Sequence, residues 1–144
     1  MAGETRGRGT LAPERLSALA RALVVLIALH SIVVGLFLSF ATDWGARLGG
    51  FPSPVPLFFP RQAGAFHFVV AGVYLVEYFA YRGVALLVMT KAIAVVFLGL
   101  TSALVVVPWV VPLSGLGDFA MGAAVLLLRR ARGRPLLGPG EAVP

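Results

Sequence analysis

The sequence predicts an all-α fold: a polytopic membrane protein built as a bundle of four transmembrane helices. Three observations lead there. The 144 residues are 59% hydrophobic and only 12% charged, about half the charge of an ordinary soluble domain, and mean hydropathy is +0.94. A chain this short has too little interior to hide so much apolar surface from water, so lipid is the simpler solvent. The apolar residues also gather into four runs, at about 22–41, 62–81, 84–107 and 113–128, most of them near the ~20 residues a helix needs to cross hydrocarbon. The basic residues, finally, cluster at the ends of those runs, where they set topology.

Residues 1–12 are polar and glycine-rich and are expected to be disordered. Pro13 suits the first turn of a helix, and Arg15 and Arg21 precede the first run. Ser39-Phe40-Ala41 resembles a signal-cleavage site, but the run exceeds the roughly 7–15 residues of a signal core, which favours a retained helix. Within it Ser31, Gly35 and Ser39 recur every four residues, a stripe that lets a neighbouring helix approach closely. Prolines and glycines make 42–60 a loop. Its Trp44, Phe51, Phe58 and Phe59 suit a membrane interface, with a short helical turn around Asp43–Leu48.

The second run is RQAGAFHFVVAGVYLVEYFAYR, bounded by Arg61 and Arg82. With His67 at zero on a helical wheel, Tyr74 falls at about −20°, Tyr78 at about +20°, Tyr81 at about −40° and Glu77 at about −80°. Phe66, Val69, Val73 and Val76 take the other side. Gly83 permits a tight turn into the third run, which holds Thr90, Lys91, Thr101 and Ser102 and is broken by Pro108, Trp109 and Pro112. The fourth run carries Ser114, Asp118 and Gly122 at four-residue spacing. Residues 131–144 read as a disordered basic tail.

Arg6, Arg8, Arg15 and Arg21 precede the first helix, Arg82 lies between the second and third, and Arg129, Arg130, Arg132 and Arg134 follow the fourth. The other side has only Arg47 and Arg61. This excess places both termini in the cytoplasm, at the cell membrane. The same placement argues against nucleic acid as a partner, despite a net charge of +6. With no cysteine, thiol chemistry and thiolate metal sites are excluded.

Ionisable groups within spans are candidates for function. These are His30, His67, Tyr74, Glu77, Tyr78, Lys91 and Asp118, as ligand-binding or proton-relay residues. Depths counted along the helices suggest two pairings. A Glu77–Lys91 ion pair would form across the hairpin, and a His67–Asp118 hydrogen bond near the outer boundary, at the end that carries Arg61. His30 would meet Lys91 or the tyrosine seam. Each pairing has two readings: glue between helices, or a polar pocket for a small ligand, a quinone head group or a proton. His30 and His67 differ in depth by about 10 Å, a poor fit to haem ligation. No metal site, phosphate loop or nucleophilic triad is expected.

The outer loop ending in FFPRQAGAFHFVVAG, the hairpin at Tyr81-Arg82-Gly83 and the SGLGDFAMGAAVLLL of the last span give the chain its plan over about residues 16–130. That plan resembles the DoxX-like four-helix membrane proteins. The resemblance implies an auxiliary or redox-associated membrane subunit, working with other proteins in systems that include thiosulfate–quinone oxidoreduction. The lack of cysteine departs from any thiol-based version of that role, and no catalytic residue is carried over. The alternatives are a membrane enzyme with a quinone or lipid substrate and a small transporter or proton-conducting protein. A protein partner or a homo-oligomer fits the first reading, and the bilayer is a partner in all three.

Overall fold

The computed structural model describes residues 13–52 and 56–134. Helices α1 (Pro13–Phe40), α2 (Thr42–Leu48), α3 (Phe58–Ala80), α4 (Ala85–Leu104) and α5 (Val110–Ala131) account for most of them. All but α2 are long and apolar enough to cross a membrane. The fold class read from the sequence is therefore the one observed. The expected disorder of 1–12 and 135–144 lies outside the described residues, as do positions 53–55.

The helix ends differ from the apolar runs for identifiable reasons. Pro13 opens α1, and Pro60 and Pro112 fall within the first turns of α3 and α5. Their missing N–H groups remove nothing there, because first-turn N–H groups have no partner in the helix. Two prolines expected to act as breakers are thus absorbed. At the other end of α4 the breaker holds. Val105 is extended, Pro108 disfavours the α conformation in the residue before it, and the helix stops at Leu104 instead of Val107. The tail begins later than expected, since α5 runs through Ala131 and the Arg134 N–H returns to the Arg129 carbonyl at 3.2 Å.

The long helices associate as two antiparallel pairs. In the first, α1 packs on α3 through small residues. A Cβ on Gly35 would lie 2.9 Å from the Gly64 carbonyl oxygen, and one on Gly64 would lie 2.8 Å from that of Gly35. Only glycine permits this approach. The Ser31–Gly35–Ser39 stripe therefore does what its spacing suggested. In the second pair α4 packs on α5, with Gly115 against Leu98 and Gly122 against Lys91. Contacts between the pairs, α1 with α5 and α3 with α4, are much sparser.

Where the pairs meet, Val24, Ile27, Tyr74, Val84, Leu87 and Val125 form the core. It lies toward the end that holds the start of α1, the α3–α4 hairpin and the finish of α5, called here the hairpin end. At the opposite end α2 folds back on α1, where Trp44 stacks on Phe37 with ring centroids 5.4 Å apart. The hydroxyls of Thr90, Thr101 and Ser102 each donate to the carbonyl four residues earlier, at 2.7–2.8 Å. This satisfies them without a neighbouring helix.

Candidate functional site

Among the described residues the buried charged groups belong to two clusters. The first lies between α4 and α5. Lys91, 6% exposed, donates from Nζ to Asp118 Oδ1 at 2.5 Å. Gly122, one turn past Asp118, lets α5 approach the lysine stem, and a Cβ there would lie 3.4 Å from Lys91 Cβ. The bond is charge-assisted, and with Lys91 buried and Asp118 half-buried little water competes for it. His67 on α3 feels the charges of Lys91, Asp118 and His30, but the observed bond on Asp118 comes from Lys91.

The second cluster organises the hairpin end. The Glu77 carboxylate accepts from the Leu86 N–H at 2.9 Å and the Leu87 N–H at 3.2 Å. These are first-turn donors of α4, which its own N-cap residue, Val84, does not satisfy. A carboxylate there also meets the positive end of the helix dipole. The Glu77 backbone carbonyl accepts from Tyr81 and Gly83, so this one residue closes α3 and starts α4. A Cβ on Gly83 would lie 3.0 Å from Glu77 Oε1. Glycine is needed there for close approach. The left-handed backbone of the turn belongs to Arg82, at φ 54°. From α5, Arg129 donates to the Arg82 carbonyl at 3.0 Å.

Both pairings expected from depth are therefore corrected. Glu77 does not pair with Lys91, because the N–H groups at the head of α4 lie closer to its carboxylate than a lysine one turn further on. Lys91 then reaches Asp118, which leaves no His67–Asp118 bond. His30 is exposed on α1. That seam is graded: Tyr74 is buried, Tyr78 is half-buried and Tyr81 is 71% exposed. The opposite face of α3, with Phe66, Val69, Val73 and Val76, is exposed as expected.

Tyr74 is the unusual member. It is 1% exposed, and its hydroxyl has no hydrogen-bond partner. Thr90 faces it but donates its own hydroxyl to Leu86. Sequence reading missed Arg129, which had been assigned to topology alone. The signal was present, because Asp118, Gly122, Val125 and Arg129 follow a spacing of four, three and four, a single helix face. Among the described residues no group of three His, Cys, Asp or Glu side chains converges as a metal site. No family model, curated protein or solved structure matches the chain.

Proposed function

We propose that this chain is an integral protein of the cell membrane with both termini in the cytoplasm, acting as a DoxX-like auxiliary subunit of a larger membrane assembly. The observation that carries the reading is how the buried ionisable groups are used. Glu77 caps α4, Lys91 and Asp118 join α4 to α5, and Arg129 braces the hairpin. Each of these groups has a packing task, which is what a scaffold requires. Meanwhile α4 and α5 turn most of their apolar surface outward, Ile93, Phe97, Leu116 and Phe119 included. Such faces suit lipid and partner helices alike. The arginines at the hairpin end support the orientation.

Co-purification from native membranes in mild detergent tests the subunit role. A stable stoichiometric partner is the expected result, and a chain recovered alone from native levels would count against it. Reporter fusions after Gly83 and Arg134 should give cytoplasmic signals and one after Gly50 an external signal. A second reading, proton conduction or a quinone-linked reaction, is favoured by one observation. The unpartnered Tyr74 hydroxyl lies between the two polar clusters, with His67 close to the Lys91–Asp118 pair. Bound quinone in the purified protein, or proton flux in proteoliposomes lost on replacing Asp118, would favour that reading.

A further inference from the structure

Helices α3 and α4 are joined by a short hairpin yet hardly pack on each other. Along the outward face of α3 runs an open groove of about 540 Å3, floored by Phe68, Val69, Gly72, Val73 and Val76, to which α4 contributes Leu86 at the hairpin end. Gly72 keeps it open, since a Cβ there would meet nothing within 4 Å. Along the helix axis it extends roughly 20 Å from Phe68 to Tyr81 at 1.5 Å per residue. That exceeds the ~15 Å depth of one leaflet's hydrocarbon. Its polar groups lie at one end only. Tyr81 lines that end and is 71% exposed, and Arg82 follows it in the turn.

We propose that this groove holds one acyl chain of an anionic phospholipid, with the headgroup phosphate at Arg82 and Tyr81. The inference rests on the membrane reading above. Three features point to this occupant. The groove is apolar along its length and polar at one end, as a lipid is. It is long enough for a chain to lie in it. The hairpin end of the bundle is positive, because Arg129 and Arg130 in the last turn of α5, and Arg132 and Arg134 just beyond it, lie at the same end as Arg82. Glu77 also lines the groove, but both its oxygens are turned to N–H groups of α4. Its charge is thus set against the positive end of that helix. The Arg82 backbone carbonyl accepts from Arg129, so in this proposal the Arg82 guanidinium is the group that meets the phosphate. A juxtamembrane arginine strengthens binding of an anionic lipid about fivefold.

The test uses the full chain, exchanged into vesicles of equimolar phosphatidylglycerol and phosphatidylcholine and then extracted in mild detergent. Retained lipid is read by native mass spectrometry. The wild type should keep one lipid and prefer phosphatidylglycerol by about fivefold or more. Gly72→Leu puts a branched side chain into the groove from a position whose Cβ has open space around it, and should abolish retention while leaving the melting temperature intact. Arg82→Gly removes the guanidinium at a left-handed position that glycine adopts freely. It should fold at least as well, keep the lipid, and lose about fivefold of the preference. Equal retention of both lipids by the wild type overturns the proposal. So does a preference that survives both substitutions. A chain that fails to sediment with the vesicles defeats the membrane reading itself, an outcome distinct from the other two.

Discussion

The two helix pairs are held together by different physics. In the α1–α3 pair the backbones nearly touch, and no side chain larger than hydrogen fits at Gly35 or Gly64. In the α4–α5 pair the approach is looser, with hypothetical Cβ atoms on Gly115 and Gly122 at an ordinary 3.4 Å. One buried ion pair supplies the grip. The most apolar windows of α1 and α3 are 28% and 22% buried, against 11% for both α4 and α5. Lipid tails are as apolar as leucine, so helices in a bilayer gain little from apolar burial. They are left with close packing or with polar contacts that have no water to compete for them. This chain uses one in each half.

Breaking the ion pair should have the largest effect. Asp118→Ala leaves Lys91 buried and uncompensated, and should cost roughly 3 kcal/mol, read from unfolding in mild detergent. Lys91→Met in the same background should recover part of that loss. By contrast, Glu77→Gln and Lys91→Met should add simply in a double-mutant cycle, because the residues do not touch. A large coupling between Glu77 and Lys91 would contradict the separation of the two polar clusters.

The packing-based pair should be sensitive in another way. Gly64→Ala places a methyl against the Gly35 carbonyl and Ser39. Overpacking costs typically 1–3 kcal/mol, and the gain in helix propensity returns about 1. A net loss of up to about 2 kcal/mol is expected, together with loosened α1–α3 contact by crosslinking. The equivalent Gly115→Ala should be neutral or stabilising, since its Cβ has ordinary room. Equal effects at the two glycines would erase the contrast between the pairs.

The sequence disclosed these halves unequally. Run length and hydropathy placed all four long helices, and the Ser31–Gly35–Ser39 spacing marked a close-packed face on α1. Gly64, its counterpart, gave no such sign, because a lone glycine acquires meaning only from the helix that meets it. The members of the polar clusters were legible as ionisable residues in apolar runs. Their partners were not. Counting depth along a helix compares side chains with side chains, and Glu77 chose backbone N–H groups instead. That choice depends on where α4 starts, a boundary hydropathy resolves only to a few residues. Gly83 marked the tight turn, but not how its work is divided: Arg82 carries the positive φ and Gly83 supplies room for the carboxylate.

Glu77→Gln sharpens the comparison at the hairpin that joins the halves. Glutamine keeps an acceptor oxygen for one N–H of α4 but loses the second acceptor and the charge at the helix end. Capping and dipole effects of this kind are worth about 1 kcal/mol. The loss should appear first as faster amide exchange at Leu86 and Leu87, with α1–α3 protection unchanged. Exchange that quickens equally in all helices would mean that the hairpin is not a separate structural unit.

The smallest expected effect is at Tyr74, where the halves face each other. Its ring belongs to the core, so Tyr74→Phe preserves the packing. Its hydroxyl is buried without a partner, so its removal forfeits no hydrogen bond. Removing it should therefore leave stability unchanged or raise it slightly. The neighbouring Thr90 hydroxyl donates to the Leu86 carbonyl, so its own hydrogen stays satisfied after the change. A loss above about 1 kcal/mol would show that the phenol does bond across the interface, through Thr90 or an internal water. In that case the halves would be joined by a polar contact of their own. An unchanged melting temperature combined with lost proton flux or lost ligand would instead separate the hydroxyl from packing and assign it to the second functional reading.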